Sequence, residues 1–321
     1  MKSLIIGGSG FVGAYLARHL RELGHKAAVT KMPQEQAPFL EADACGMDIL
    51  DLDILEYDAV VDLINKTNPD FIFHLAAQSS VAVSWKNPCL TADVNIKGSI
   101  HVLEAVRRQE KKSRILLVGS GEEYGAILPD EIPVREGHMV KPGNIYAATK
   151  ACQNQIGAIY AQAYGMDAIM VRAFNHIGPH QASCFVVSDF CRQAAEIEAG
   201  LKEPVIWTGN LEAKRDFTDV RDIVRAYALL AQRGQAGETY NVGSGHAARI
   251  GDILKLVLER TAAEICVKED PAKIRPLDVP VIEADITKLK RLTGWEPKIS
   301  LEQTVSETLD AWRTEVRSKN C

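Results

Sequence analysis

The sequence predicts an α/β fold built on a doubly wound parallel sheet. Two observations lead to this prediction. Short β-branched segments alternate with longer helical patterns through the first half of the chain, and the short segments are apolar throughout instead of at every second residue. Strands with this pattern are covered on both faces, as in parallel sheets joined by right-handed helical crossovers.

Five strands and four helices are predicted in this half of the chain. The strands are SLIIG (3–7), KAAVT (26–30), DFIFHLA (70–76), RILLVGS (114–120) and AIMVRAF (168–174). The helices are residues 12–23, ended by Gly24, and then about 57–67, 91–109 and 145–164. The alternation is the βαβ pattern of a parallel sheet.

The pattern becomes less regular after about residue 175. We predict helices at 185–200, 250–261 and from about 301, with short strands in EPVIWTG and ETYNVGSG. This part indicates a smaller mixed α/β domain that binds substrate. The predicted domains are residues 1–174 and 175–321, with segments near 204–245 partly returning to the main sheet.

The composition is ordinary for a soluble globular protein, with 46% hydrophobic and 25% charged residues. A net charge of −5 and the lack of a basic stripe argue against a nucleic-acid partner. No apolar run approaches the ~18 residues that a membrane span needs, and no targeting segment precedes SLIIGGSG. We therefore expect a cytoplasmic protein with no membrane partner.

The cysteines form no CxxC pair and no metal-ligand spacing. Their odd and scattered count is typical of reduced thiols, and we expect no metal site. The seven are Cys45, Cys89, Cys152, Cys184, Cys191, Cys266 and Cys321.

The segment GGSGFVG (7–13) follows the first strand and opens the first helix. Two spacings fit it, Gly8-x-Gly10-x-x-Gly13 and Gly7-x-x-Gly10-x-x-Gly13. Backbone N–H groups at a helix N-terminus bind a pyrophosphate, and glycines let the backbone approach it. At the first βα turn this predicts a Rossmann-type dinucleotide site in preference to a glycine turn that binds nothing.

The end of the second strand bears on the choice of cofactor. An NAD site usually offers Asp or Glu there to the ribose hydroxyls, whereas this chain has Thr30 and Lys31, with Glu35 as the first acid downstream. A hydroxyl and a cation suit a 2′-phosphate better than a carboxylate does. NADP(H) is favoured and NAD(H) stays open, because an exposed loop lysine is common without any ligand.

Four side chains are candidates for catalysis. Ser120 ends the strand RILLVGS and Glu122 follows it two residues later, although a turn with solvated acids has the same pattern. Tyr146 and Lys150 stand four residues apart in NIYAATK. Residues i and i+4 share one helix face, although an amphipathic helix whose lysine reaches solvent has the same spacing. Together, the four residues indicate a site at the carboxyl edge of the sheet that handles a proton.

These glycines, with Ser120 and Tyr146-x-x-x-Lys150, resemble the extended short-chain dehydrogenase/reductase family, also called the NAD-dependent epimerase/dehydratase family. The resemblance covers essentially the whole chain. Within the family, VGSGEEYG, RAFNHIGPHQ, GNLEAKRDFTDVRDIVRAY and DPAKIRPLDVP resemble the GDP-6-deoxy-D-mannose reductases. Those enzymes reduce GDP-4-keto-6-deoxy-D-mannose to GDP-D-rhamnose.

The resemblance implies a role for each candidate. Tyr146 would protonate O4 of the sugar, Lys150 would lower the pKa of that phenol and hold the nicotinamide ribose, and Ser120 would hydrogen-bond the ketone oxygen. Asn95 matches a position near the cofactor, with a solvent-facing helical asparagine as the alternative. The other implied cofactor contacts are Gly7, Gly10, Phe11, Val12, Gly13, Asp48, Ile49, Leu75, Ala76, Ala77 and Gln78.

The resemblance also implies a GDP-sugar as the substrate. Asn175, Arg215 and Arg275 would contact its diphosphate, since guanidinium groups match phosphate oxygens, although Arg215 could instead pair with a neighbouring aspartate. Asp278 would accept two adjacent guanine N–H groups, or else cap a turn between two prolines. A homodimer formed through helices 91–109 and 145–164 is implied as well.

Three other functions stay open at this point. GDP-mannose 4,6-dehydratases also carry a Ser/Thr-x-Glu, so Glu122 does not separate them from reductases, and a 4-epimerase is another alternative. A non-catalytic NADPH-sensing regulator on the same fold is disfavoured, because such proteins typically lose the Tyr or the Lys that this chain keeps.

Overall fold

The computed structural model describes residues 1–36, 47–273 and 279–318. Its strands, in chain order, are β1 (Lys2–Ile6), β2 (Lys26–Lys31), β3 (Asp48–Asp51), β4 (Phe71–His74), β5 (Arg114–Ser120), β6 (Ala168–Ala173), β7 (Asn175–Ile177), β8 (Val205–Thr208), β9 (Lys214–Asp219), β10 (Thr239–Val242), β11 (Ala247–Arg249), β12 (Cys266–Glu269) and β13 (Val281–Ile282).

The helices lie between these strands. They are α1 (Phe11–Glu22), α2 (Tyr57–Thr67), α3 (Val81–Lys86), α4 (Pro88–Ala92), α5 (Ser99–Arg108), α6 (Ile145–Tyr164), α7 (Val186–Glu198), α8 (Val220–Arg233), α9 (Ile250–Glu259), α10 (Thr287–Thr293) and α11 (Leu301–Ser318). A π-helical segment, Asp93–Gly98, joins α4 to α5, and a 3₁₀ turn, Gly121–Tyr124, follows β5.

A seven-stranded parallel sheet has the order β10-β6-β5-β4-β1-β2-β3. The order reverses at β1, whose neighbours are β2 on one side and β4 on the other. Ligands of such sheets bind outside the carboxyl ends of the strands at this switch point. The end of β1 and the loop after β4 are therefore where a cofactor site is expected.

Two apolar clusters cover the faces of the sheet. One joins α1 and α8 to it and contains Leu16, Leu20, Ile223 and Tyr227. The other joins α2 and α5 and contains Leu63, Ile64, Val102 and Leu103. Because both faces are covered, the strands are apolar throughout, as the sequence predicts.

A smaller sheet is built around β9, which pairs with β7 and β13 in parallel and with β11 in antiparallel orientation. The helices α7, α9 and α11 bury a third apolar cluster beside it, including Phe190, Ile253 and Leu309. Strand β10 lies in the main sheet, next to β6. The division of the chain into domains at residue 174 stays a prediction.

The predicted doubly wound parallel sheet is confirmed, and each of the five predicted strands of the first half forms. Several predicted bounds differ by one or two residues. The third of these strands, for example, ends at His74 instead of Ala76. The helix predicted at 91–109 is interrupted by the π-helical segment. In the parts of the chain that the structure describes, no helix is both long enough and apolar enough to cross a membrane.

Candidate active site

The glycine turn between β1 and α1 packs tightly against the rest of the sheet edge. Gly7 has a φ of +83°, and a Cβ built on it lies 2.5 Å from the backbone nitrogen of Ala76. A Cβ on Gly13 lies 2.5 Å from the Cα of Gly8. Internal packing therefore requires glycine at positions 7 and 13.

Gly10 differs from these two glycines. A Cβ built on it comes no closer than 3.5 Å to another atom, the Gly7 carbonyl oxygen, which is ordinary van der Waals contact. Gly10 is the N-cap of α1, which has no side-chain cap and no acidic residue in its first turn. An uncapped, unblocked helix N-terminus suits a pyrophosphate, so Gly10, Phe11 and Val12 fit a dinucleotide.

The variant Gly10→Ala is expected to fold as stably as the wild type and to bind nicotinamide cofactor at least about tenfold more weakly, because its methyl group occupies the phosphate approach. Thermal unfolding and calorimetric titration with the cofactor measure the two effects. The matched variant Gly7→Ala, with its Cβ against Ala76, should lose stability as well. Unchanged affinity in Gly10→Ala would place the pyrophosphate elsewhere.

The end of β2 is held by contacts with the glycine turn and with β3. Thr30 is buried, and its hydroxyl oxygen accepts the Gly7 N–H at 2.9 Å. Thr30 thus shapes the glycine turn, and its predicted contact with a 2′-phosphate stays a prediction. Lys31 forms an ion pair with Asp51 at 2.8 Å, and Ser9 donates to the Glu35 carboxylate at 2.9 Å. A cation and two carboxylates therefore lie near this edge.

The loop after β4 is held by Asn95. The N–H groups of Leu75 and Ala76 donate to the Ile6 carbonyl, which ties the loop to β1. The Asn95 side chain is fully buried, accepts the Gln78 N–H at 2.8 Å and donates to Gln78 O and to Thr149 on α6. The solvent-facing alternative for Asn95 is wrong, and its amide supports the predicted cofactor loop, residues 75–78, which includes Ala77.

Asn95 lies within the π-helical segment. Such segments are rare and concentrate at functional sites, because the extra residue re-aims the side chains beside it. Asp48 and Ile49, two of the implied cofactor contacts, lie inside β3, paired with Ala28 and Val29. Their contact with the cofactor stays a prediction.

Ser120, Glu122 and Tyr146 lie together beyond the carboxyl end of β5. Ser120 is the last residue of β5, and its side chain acts to lower the pKa of Tyr146, which lies in the first turn of α6. The Ser120 hydroxyl oxygen also accepts the Glu122 N–H at 3.2 Å. The Glu122 carboxylate accepts the side-chain amide of Asn144, the N-cap of α6, at 3.0 Å. The predicted hydroxyl, carboxylate and phenol thus share one site.

Lys150 is buried one turn after Tyr146. Its ammonium donates to Gln153 Oε1 at 2.9 Å, and the Gln153 side-chain amide donates to Val118 O in β5. Gln153 therefore links the Lys150 ammonium to the backbone of β5. The sequence analysis did not identify Gln153, although it lies three residues after Lys150 on the same helix. The ordinary amphipathic alternative for this helix is wrong for Lys150, which does not reach solvent.

Burial governs the protonation of both groups. Burial raises the pKa of Tyr146 well above its ordinary value, and the hydrogen bond with Ser120 opposes this rise. Burial lowers the pKa of Lys150 to about 8, against the opposing charge of Glu123. At neutral pH the phenol therefore holds its proton, and the ammonium is mostly charged.

The substrate candidates divide into two groups. Asn175 and Arg215 line a narrow cavity with Ser120 and Glu122, and the Arg215 guanidinium donates to Val279 O at 2.6 Å. This cavity joins the end of β5 to the smaller sheet. Arg275 and Asp278 lie outside the described residues.

Glu123 was missed by the sequence analysis. Its carboxylate is fully buried, accepts the Ser120 N–H and forms an ion pair with Arg172 at 2.9 Å. The visible signal was a second acid directly after a buried strand, with an arginine in the neighbouring apolar strand. Across residues 1–36, 47–273 and 279–318, no cluster of three His, Cys, Asp or Glu could hold a metal ion.

A family model described as GDP-mannose 4,6 dehydratase matches residues 4–308, nearly the whole chain. The chain belongs to this family. It is a branch of the extended short-chain dehydrogenases/reductases, so the resemblance stated from the motifs is confirmed.

Relatives with different activities are about equally similar to this chain. The GDP-6-deoxy-D-mannose reductase of Pseudomonas aeruginosa is 30% identical over 98% of both chains. The GDP-mannose 4,6-dehydratase of Yersinia enterocolitica is 29% identical over 95% of this chain and 92% of its own. The comparisons thus show an enzyme that modifies a nucleotide sugar.

Solved structures agree with the fold and with a nicotinamide cofactor. RMD from Pseudomonas aeruginosa, complexed with NADPH, has a TM-score of 0.86 at 28% identity and covers 98% of this chain and 100% of its own. The UDP-glucose 4-epimerase of Thermus thermophilus, complexed with NAD, has a TM-score of 0.87 at 27% identity, with coverages of 98% and 99%. Solved structures similar to this chain therefore include complexes with either cofactor.

Proposed function

We propose that this protein reduces the C4 ketone of a GDP-4-keto-6-deoxyhexose with NAD(P)H, converting GDP-4-keto-6-deoxy-D-mannose to GDP-D-rhamnose. The observation that supports this most is the cluster of buried Ser120, half-buried Tyr146 and buried Lys150 at the carboxyl edge of β5. Full-length similarity to a GDP-6-deoxy-D-mannose reductase supports the choice of substrate.

Each group would have one task in this reaction. The nicotinamide cofactor supplies the hydride when bound. Tyr146, protonated at neutral pH, donates its proton to the developing alkoxide at O4. Ser120 directs its hydroxyl at the same oxygen and stabilises the negative charge that builds up there. Lys150 places a buried positive charge where the phenolate forms, since opposite charges favour the ionised phenol.

A 4,6-dehydratase is the second candidate, and Glu122 is the observation in its favour. Asn144 holds the Glu122 carboxylate beside Ser120 and Tyr146, where it could remove a proton from the sugar. A reductase needs no such base. The family model and the Yersinia relative support this alternative as well.

Cofactor balance separates the two reactions. A reductase uses one NADPH for every GDP-4-keto-6-deoxy sugar reduced, whereas a dehydratase returns the hydride to its own product and consumes none. We expect absorbance at 340 nm to fall stoichiometrically with the ketosugar, and no product from GDP-mannose alone. Formation of ketosugar from GDP-mannose without loss of NADPH would exclude the reductase.

Glu122→Gln is the supporting variant for this assignment. It keeps a hydrogen-bonding group beside Asn144 and removes only the base. A reductase should keep most of its kcat, while a dehydratase should lose its elimination step by about 10²-fold or more. Product analysis by mass spectrometry measures both reactions on the same enzyme.

NADP(H) stays the proposed cofactor, because Lys31 can approach a 2′-phosphate once its ion pair with Asp51 opens. Asp51→Asn should release Lys31 and tighten NADPH binding several-fold, with NADH binding little changed. Titration calorimetry with both cofactors measures the ratio. Asp53→Asn, two residues later, is the control. Stronger binding of NADH than of NADPH by the wild type would contradict the proposal and favour Glu35 as a ribose contact.

The remaining proposals concern the partners. We propose GDP as the nucleotide, with Asp278 as a reader of its base, and a homodimer formed through residues 91–109, which include α5, and through α6. Ile159 on α6 is 57% exposed, and Leu90, just before residue 91, is 41% exposed; both support an apolar interface. Light scattering of the purified protein tests the dimer. The cytoplasmic location stays a prediction.

A further inference from the structure

A buried carboxylate stands directly behind the proposed catalytic serine. Glu123 is 0% exposed, and three donors surround its two oxygens. Oε1 accepts the Ser120 N–H and the Asn154 side-chain amide, each at 2.8 Å, and Oε2 accepts Arg172 Nε at 2.9 Å. The carboxylate therefore joins β5, α6 and β6 at the point where the site begins.

The strand backbone is shaped to accept this carboxylate. A Cβ built on Gly119 would lie 2.1 Å from the Asn154 amide nitrogen and 2.2 Å from Glu123 Oε1. Any side chain at position 119 would displace Glu123 or Asn154. The residue before Ser120 is thus glycine because the carboxylate occupies the space beside it.

Arg172 extends the same network away from the site. Its Nη1 donates to the Tyr124 hydroxyl at 3.0 Å and to Glu136 O at 2.9 Å, and its guanidinium lies 4.7 Å from the centre of the Tyr124 ring. Tyr124 in turn donates to Asn241 in β10 at 2.7 Å. The hydrogen-bond network that begins at the Ser120 N–H therefore reaches both β6 and β10.

Stability alone does not explain this network. A buried ion pair costs desolvation, and apolar side chains of similar volume often replace such pairs with no loss of stability. A fully satisfied buried network does fix the positions of its members. The network reaches the site at the backbone N–H of Ser120, and the hydroxyl oxygen of the same residue accepts the Glu122 N–H.

We propose that Glu123 is a positioning residue that fixes the Ser120 hydroxyl for the carbonyl oxygen of the substrate. The inference rests on the proposed role of Ser120. Glu123 is fully buried and is not among the residues that line the cavity beside Ser120 and Glu122. Its carboxylate holds the Ser120 N–H, so the Cα–Cβ bond of Ser120 keeps one direction, and Arg172 keeps the carboxylate in place.

A double-mutant cycle tests the inference. In the wild-type background, Glu123→Gln places an amide N–H against Arg172 and should lower kcat roughly 10- to 100-fold through a displaced Ser120, with KM and cofactor affinity little changed. In a Ser120→Ala background, the same substitution should have no further effect on kcat. Equal losses in both backgrounds would overturn the inference, because they would show a general structural defect.

Two further variants keep the test decisive. Asp167→Asn breaks the Arg114–Asp167 ion pair at the amino ends of β5 and β6, and kcat should be unchanged in either background. If Glu123→Gln does not fold, the double variant Glu123→Leu with Arg172→Leu removes both charges together and should fold. Wild-type kcat in that variant would also overturn the inference.

Amide hydrogen exchange gives a readout that depends on no reaction. The Ser120 N–H should exchange faster in Glu123→Gln than in the wild type, and at the wild-type rate in Asp167→Asn. Unchanged exchange contradicts the positioning role. If the reductase assignment is wrong, the wild type itself will not oxidise NADPH when it is given the ketosugar. The double-mutant cycle is then measured on the nucleotide-sugar conversion that the wild type does catalyse.

Discussion

Tyr146→Phe should lose about 10²–10⁴-fold in kcat while it folds normally and binds both cofactor and nucleotide sugar with wild-type affinity. The substitution removes one oxygen, the proposed proton donor, and leaves the ring in place. Because burial raises the pKa of this phenol, the wild-type residue enters each turnover with its proton in place. Single-turnover kinetics, with affinities from calorimetry, separate the chemical step from binding.

Tyr164→Phe is the matched control. Tyr164 lies in the last turn of the same helix and is 58% exposed, so loss of its hydroxyl should leave kcat unchanged. The loss in Tyr146→Phe should appear in kcat and kcat/KM to the same degree, since the donated proton stabilises the transition state and not the bound substrate. Near-normal turnover would mean that another acid protonates O4.

The backbone of the site could be predicted because its signals are local. A glycine turn after an apolar strand places a helix N-terminus at the switch point, and the spacing of Tyr146 and Lys150 places both on one face of α6. The end of β5 brings Ser120 and Glu122 to the same edge. None of these inferences needs contacts between distant parts of the chain.

The direction of individual polar side chains could not be predicted in the same way. Thr30 has the right residue type for a ribose or phosphate contact, but its hydroxyl oxygen accepts the Gly7 N–H across 23 residues. Asn95 has the helical spacing of a surface residue, yet it is buried against Gln78 and Thr149 because the π-helical segment turns it inward. Such contacts depend on packing between elements, which no local pattern contains.

Glu123 shows the same limit at the centre of the site. Two consecutive glutamates after a strand suggest two solvated acids, and only the fold separates them. The 3₁₀ turn directs Glu122 to the cavity and Glu123 into the interior, where Glu123 forms an ion pair with Arg172 on the neighbouring strand. The choice between them requires the register of β5 and β6, in which Gly119 pairs with Arg172.

Lys150→Met should lower kcat by about 10²-fold or more, because the phenolate that forms on Tyr146 loses its buried counter-charge. The variant should also bind cofactor more weakly if Lys150 holds the nicotinamide ribose. Lys141→Met, at an exposed position before α6, is the control and should change neither property. Unchanged cofactor affinity in Lys150→Met would mean that Lys150 acts only through its charge on Tyr146 and does not hold the nicotinamide ribose.

The pH dependence gives this prediction a second, independent readout. Burial lowers the pKa of Lys150 from 10.5 to about 8, so the ammonium loses its proton as pH rises through about 8. Tyr146 does not titrate there, because burial moves its pKa upward. Wild-type kcat for ketosugar reduction should therefore fall above pH 8, and the much slower Lys150→Met should show no such fall. A flat wild-type profile would contradict the need for the ammonium.

The protonation of Lys150 should affect the free energy of unfolding in the direction opposite to its effect on kcat. A lysine whose pKa is lower in the folded than in the unfolded chain favours folding most above pH 10.5, and this contribution is lost as pH falls through about 8. At pH 7 the buried ammonium therefore costs folding free energy. Lys150→Met removes that cost, so its Tm at pH 7 should equal or exceed the wild-type Tm while its kcat is far lower. A destabilised and inactive variant would instead indicate that Lys150 serves the packing of α6 against β5.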